Sequence, residues 1–396
     1  MTPLHLAVKK GKLDNIKYFV NDGINVDICD DEGNTALLCT RFPYSANRNQ
    51  MSNIIKYLVD VGANLNKQDR YGETVIFWAF ENGEPNLFPY LIEKEADLNI
   101  INNKGDTLLL KSIKNEKTDT VNHLLNAKNL DIMFCDDEGN NALHLAAENE
   151  NLELASLLYD KNRKLVCNNK NGHTPVFHAA AKGKWNVVKM FKEIGLNLHA
   201  KTCNHMTLLH MASDQGNIDM VKWLIQNNLN IEGKTIQGES VLHFSVRSGN
   251  VDLLNFISEQ GIRFNIETNT GDSVLHLAVK RNQFHIIEYL IRKGVKVNGK
   301  NKEKRTPLHV AASSGFHCTN TLLQNGANIY IKDRLKRTPL HMAVMAADIN
   351  VDTVRLLIQK GGSVNATDKF GNTALHLALQ AKSKYPLKGG KYNESY

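Results

Sequence analysis

Fifteen histidines and six cysteines come first, because imidazole and thiolate are the groups most often used for metal binding and nucleophilic catalysis. Eight of the histidines, His5, His144, His210, His243, His276, His309, His341 and His376, occupy one slot of a recurring phrase. Adjacent copies of such a slot lie one helix-packing distance apart, roughly 8–10 Å. Zinc needs ligands at about 2 Å, so these imidazoles cannot converge on one ion. They are expected to hydrogen-bond locally and to knit adjacent copies together. No Cys-x-x-Cys occurs, which removes the zinc-ribbon and thioredoxin readings and leaves a reducing compartment as the expectation. Cys29 and Cys135 head identical hexapeptides, CDDEGN, three copies of the phrase apart. That separation is roughly 25–30 Å, and a disulfide needs Cα atoms within about 7 Å.

Other motifs fare no better. Gly233-Lys234-Thr235 ends like a phosphate-binding loop, but Asn228 stands where that loop needs its first Gly. No paired carboxylates, serine triad or dinucleotide fingerprint is present. The chain is therefore expected to be no enzyme, with no catalytic residue, no metal and no cofactor. Asn365-Ala366-Thr367 and Asn393-Glu394-Ser395 fit the glycosylation acceptor pattern. The N-terminal residues lack the basic and apolar regions of a secretory signal, so both read as chance matches. The longest apolar run, Val75 to Phe80, is far short of the about 20 residues a membrane helix needs.

The histidine slot belongs to a seven-residue phrase that starts at Thr2, Thr35, Thr74, Thr107, Asn141, Thr174, Thr207, Ser240, Ser273, Thr306, Thr338 and Thr373. The spacings are 33, 39, 33, 34, 33, 33, 33, 33, 33, 32 and 35 residues. It reads TPLHLAV at Thr2, NALHLAA at Asn141 and TPLHVAA at Thr306. Thr, Ser or Asn caps a helix, and Pro fits its first turn. Small pairs such as Ala146-Ala147 and Ala311-Ala312 let a neighbouring helix come close. Gly183, Gly216, Gly249 and Gly315 break that helix. A second apolar-periodic helix follows, as in Asp219 to Ile225. A polar turn then closes with Gly two residues before the next cap, as in Asp69-Arg70-Tyr71-Gly72. One such unit cannot bury a core alone, so neighbours must stack.

This phrase and period resemble the ankyrin repeat family over about residues 2–381. The resemblance implies an all-α solenoid of twelve stacked helix-turn-helix units with β-hairpin-like fingers. One domain is expected over 1–381, the first unit lacking its hairpin and the last its second helix. Residues 382–396 are expected to form a disordered basic tail.

Departures from the period carry further expectations. The 39-residue spacing lengthens the loop Arg41–Arg48, a surface insertion or a contact loop. Pro89 should bend or shorten the helix it enters. The aromatics Phe77, Trp78, Phe80, Phe88 and Tyr90 should be core. Unit ten is one residue short across Gly315–Gly326, and unit eleven carries an insertion near Met345–Asn350. His205, Lys304 and Lys336 replace the turn Gly, and their turns are expected to relax away from positive φ. Asp97-Leu98-Asn99 resembles the asparagine hydroxylation context of ankyrin repeats.

Charge is uneven. Residues 299–396 hold 15 Lys and Arg against 6 Asp and Glu, a net of +9, while the other 298 residues carry −2. Such asymmetry points to an acidic partner. The family usually binds proteins on a concave face of finger tips and first-helix ends. Carried over, the tips lie one, three and four residues before each cap. They are acidic at Asp30, Asp31, Glu32, Asp136, Asp137 and Glu138. They are basic in units nine to eleven, where Lys280, Arg281, Lys302, Lys304, Arg305, Arg334, Lys336 and Arg337 join the apolar tips Leu335 and Phe370. Tyr71, Met206 and Ile236 are similar apolar tips earlier in the chain.

The expected function is a monomeric scaffold or adaptor that binds protein, with an acidic segment on units nine to twelve. Its expected location is cytoplasmic, or nuclear given the cluster Lys332–Arg337. An ankyrin segment of a longer channel, toxin or signalling protein is the alternative. Nucleic-acid binding is disfavoured for want of serial stacking aromatics.

Overall fold

The computed structural model describes residues 1–41, 48–82 and 86–384. Among these the chain forms 22 α-helices, two 3-10 helices and no strand. It divides into two compact units, Met1–Leu196 and Asn197–Tyr396, each taken by itself below. Both are built from the same repeated pair of antiparallel helices.

In the N-terminal unit the helix starts follow from the phrase. The Asn141 side chain accepts from the backbone N–H groups of Leu143 and His144 and opens helix Ala142–Glu148. A typical N-cap of this kind is worth about 1 kcal/mol. The aliphatic residue two after each cap then points between helix pairs. Leu4, Leu37, Ile76, Leu109, Leu143 and Val176 are all fully buried in this way. Phe77, Trp78, Phe80 and Phe88 join that core, whereas Tyr90 is half-buried and its hydroxyl donates to Asp60 Oδ1 at 2.8 Å.

One element differs from expectation. The first helix of repeat two is only a 3-10 turn, Leu38–Arg41. The Thr40 hydroxyl donates to Leu37 O at 2.6 Å, a local bond that competes with the helical ladder. The helix that Pro89 enters is short, as expected, at seven residues. Pro89 is the third residue of Leu87–Glu93, inside the first turn, where a missing N–H costs no helical bond.

The C-terminal unit repeats the scheme from Leu208 to Lys384. Leu209, Leu242, Leu275, Leu308 and Leu340 fill the slot between helix pairs. In repeat ten the chain passes from helix Pro307–Ser314 through one residue, Gly315, into helix Phe316–Gln324. That accounts for the missing residue. The extra residues of repeat eleven lie between helices Pro339–Val344 and Val351–Gln359. The last helix, Ala374–Lys384, extends three residues past the expected boundary at 381. Its Leu375 is 67% exposed, against 2% for Leu340, so its stacking face is uncovered. The tail 385–396 and the loop residues 42–47 lie outside the described residues.

Candidate functional site

Each finger is positioned by two side chains, and both can be followed residue by residue. The first is the phrase histidine. His309 Nδ1 meets the cap at Thr306 Oγ1, 2.8 Å away, and its Nε2 reaches Arg337 O of the next finger at 3.1 Å. His276 does the same with Ser273 and Arg305 O, and His341 with Thr338 and Asn372 O. In the N-terminal unit His5 reaches Asn34 O and His144 reaches His173 O. Each of these five imidazoles thus knits its repeat to the next. Burial pushes His144, His210, His243 and His309 down to about 4, so they are neutral at pH 7.

The second side chain stands five residues before the cap. Asp333 Oδ1 accepts from Leu335 N at 2.8 Å and Arg337 N at 2.9 Å. Asn301 holds Glu303 N and Arg305 N, and Asp368 holds Phe370 N and Asn372 N, in the same way. Sequence reading missed this role. The signal was available, because the position is Asp, Asn or Thr in all eleven fingers from Asp30 to Asp368. Asp30 and Asp136 are two of these turn holders. Asp30 is buried and Asp136 half-buried, so neither is an exposed tip, whereas Asp31, Glu32, Asp137 and Glu138 are.

The same geometry corrects the expectation about the turn glycines. His205, Lys304 and Lys336 keep φ of 59°, 57° and 58°. The turns of Lys304 and Lys336 do not relax because Asn301 and Asp333 grip the backbone on both sides of the strained residue. A non-Gly residue in this left-handed region costs roughly 1–2 kcal/mol.

It also corrects the map of the tips. The residue just before the cap returns into the repeat, where its N–H meets the turn holder. At Asn34, His173, Arg305, Arg337 and Asn372 its C=O also meets the phrase histidine of the preceding repeat. Asn34, Glu73, Asp106, Asn140, Asp272 and Arg337 are buried there. Arg337 therefore does not share the exposed basic surface. Its Nε and Nη2 both reach Asp333 Oδ2, at 2.9 and 2.8 Å. Burial raises the Asp333 carboxyl, but the Arg337 bonds and charge outweigh this and hold it below the usual range. Arg305 is half-buried, with Nε 3.6 Å from Asp333 Oδ2. Lys280 Nζ is 2.7 Å from Asp272 Oδ2.

What remains exposed is a compact set. Among the described residues, Arg281, Lys302, Lys304 and Lys336 have no ion pair. Arg334 has a loose one to Glu303 at 3.7 Å. Phe370 is 72% exposed and Leu335 half-buried beside them. Lys369 belongs here too and was not expected. Its N–H donates to Leu335 O at 2.8 Å, continuing a ladder in which Arg334 N meets Glu303 O and Lys302 N meets Thr270 O. The inner charges of the N-terminal unit are instead engaged with one another. Arg41 meets Asp69, Glu73 and Glu81, and Lys111 meets Glu73 and Glu81, all within 3.0 Å. Asn99 Nδ2 donates to Asn129 O at 2.8 Å, which gives that side chain a structural bond.

This site is a charged, preformed surface. Among the described residues no group of His, Cys, Asp or Glu could hold a metal ion, and no helix is long and apolar enough to cross a membrane. A family model described as ankyrin repeats (3 copies) matches residues 44–134, 109–202, 186–268, 242–333 and 316–386. Another, ankyrin repeats (many copies), matches residues 4–39. Among solved structures the chain is similar to the human ASB11 ankyrin repeat domain, at 28% identity over 53% of this chain and 96% of that one, with a TM-score of 0.47. No curated protein matches it. The two family models together span nearly the whole chain, and the chain belongs to the ankyrin repeat family.

Proposed function

We propose that the chain is a non-catalytic protein-interaction scaffold that docks an acidic segment of a partner on the fingers of repeats nine to twelve. Ankyrin repeats are in general protein–protein interaction modules, and this reading adds the place and the chemistry. The observation that carries it is the pair Lys304 and Lys336. Both are cations held at a left-handed φ that glycine would occupy without strain. Most other fingers have Gly in this slot. Strain retained at an exposed position points to use rather than to packing. The unpaired Lys302 and Arg281, with Phe370 as an apolar anchor, fit the same partner. The reading places the protein in the cytoplasm or nucleus, where such partners are met under reducing conditions.

The test is affinity capture from source lysate at about 50 mM and about 500 mM salt, since exposed charges are screened over these conditions. Wild type is compared with a variant in which Lys302, Lys304, Arg334 and Lys336 are all changed to Glu. Partners lost both from the variant and at high salt support the reading. An identical partner list in all arms refutes it.

A further inference from the structure

The basic fingers are held in a fixed register, and that register specifies the partner. The residue four before the cap is Lys302 in repeat ten, Arg334 in repeat eleven and Lys369 in repeat twelve. All three side chains are exposed. Their backbones are tied together tip to tip. Arg334 N donates to Glu303 O at 2.9 Å, and Lys369 N to Leu335 O at 2.8 Å. With standard backbone dimensions, this path places successive Cα atoms of the column no more than about 10–11 Å apart. Helix stacking at roughly 8–10 Å gives the same step. An extended chain rises about 3.3–3.4 Å per residue, so three residues cover one step, two fall short and four overshoot.

The next column has a direction. It runs Glu303, Leu335, Phe370, from an anion to an exposed ring. An acidic partner is disfavoured beside Glu303 and gains apolar contact beside Phe370. We propose that the docked segment is an extended strand with three acidic residues at every third position, facing Lys302, Arg334 and Lys369, and with an apolar residue at its Phe370 end. This rests on the acidic-segment reading above and adds spacing and polarity to it. The turn holders Asn301, Asp333 and Asp368 fix the tips beforehand, so the partner meets a rigid ruler with little ordering cost on this side.

Three synthetic peptides test the register. They have one composition, with three Glu, one Phe and uncharged spacers, and place Glu at every second, third or fourth residue. Binding to the full chain is read by fluorescence anisotropy at low salt. A misplaced spacing loses at least one exposed ion pair, so the every-third peptide should bind about fivefold tighter than either other. Arg334→Glu, at the middle of the column, should erase that preference while leaving the thermal melt unchanged. Equal binding by all three peptides overturns the register. If Arg334→Glu still weakens all three, the acidic-segment reading survives that result. If none binds, both fail. A single-stranded oligonucleotide that outcompetes the every-third peptide also overturns the proposal, in favour of a nucleic-acid partner.

Discussion

Replacing Lys304 and Lys336 by Gly should make the protein more stable and a worse binder. Both lysines have φ near 57–58°. The left-handed region costs a non-Gly residue roughly 1–2 kcal/mol, and Gly returns about 0.5–1 kcal/mol of that through its greater freedom in the unfolded chain. The slot is also crowded in the preceding finger, where a Cβ on Gly271 would lie 2.9 Å from Lys302 N. The net gain is therefore up to about 1 kcal/mol per site. The two sites sit in adjacent fingers roughly 8–10 Å apart and share no partner, so the gains should roughly add. For a unit of this size each kcal/mol moves Tm by about 2–4 °C. The double variant should melt higher, by up to roughly 8 °C, in the transition of the C-terminal unit, read by circular dichroism or calorimetry. The same variant removes two exposed cations and should weaken an acidic peptide about threefold or more at low salt. A lower Tm would refute the strain argument. A higher Tm with unchanged binding would show that the lysines are strained without serving this partner.

Acid should unfold the chain in a defined window. His144, His210, His243 and His309 are at about 4 when folded, against 6.5 in the unfolded chain. Between those values the unfolded chain binds more protons, so stability is complete above pH 6.5 and falls as pH drops toward 4. Each histidine accounts for up to about 2 kcal/mol between pH 6.5 and 5. Three of the four lie in the C-terminal unit, which should lose urea resistance first; urea midpoints that do not change from pH 7 to 5 would contradict this. Arg337→Ala should cost about 3 kcal/mol, since it takes from the buried Asp333 carboxylate the guanidinium that bonds it twice and leaves only Arg305 at 3.6 Å, while leaving peptide binding nearly unchanged. A binding loss without destabilisation would return Arg337 to the partner surface. Leu308→Ala, at a fully buried position between helix pairs, should cost about 2–5 kcal/mol by urea titration.

The repeat made most of the fold readable. A cap, a Pro, an apolar residue two after the cap and a period near 33 each have one local meaning, and the structure realises each one. The histidine role was readable for the same reason, because the slot recurs beside a capping residue. What was not readable depends on through-space geometry. The residue before the cap is polar or charged in most fingers, as in Glu73, Asp272 and Arg337, so it looked like surface. It is buried because the turn holder of its own finger seizes its N–H, and at Arg337 the histidine of the preceding repeat also holds its C=O. The relaxed turns expected at Lys304 and Lys336 failed on the same point. The reading weighed the residue that bears the strain and not the carboxamide and carboxylate that enforce it.

These two grips divide the labour within a single finger. The residues five and one before the cap are the framework. Their polar groups are paired, and changing them costs stability. In the basic fingers the side chains four, three and two before the cap lie outside both grips. The N–H four before the cap bonds the C=O three before the cap of the preceding finger, so the tips are tied together through backbone atoms. Asp333 and Arg337 neutralise each other at the base, so the charge that a partner meets at this finger is that of Arg334 and Lys336. A search for specificity in this chain should therefore vary the outer three positions and leave the two framework positions alone. A swap of fingers ten to twelve with the acidic fingers, confined to those outer positions, should reverse the charge of the preferred peptide without moving Tm by more than the strain at the turn residue allows.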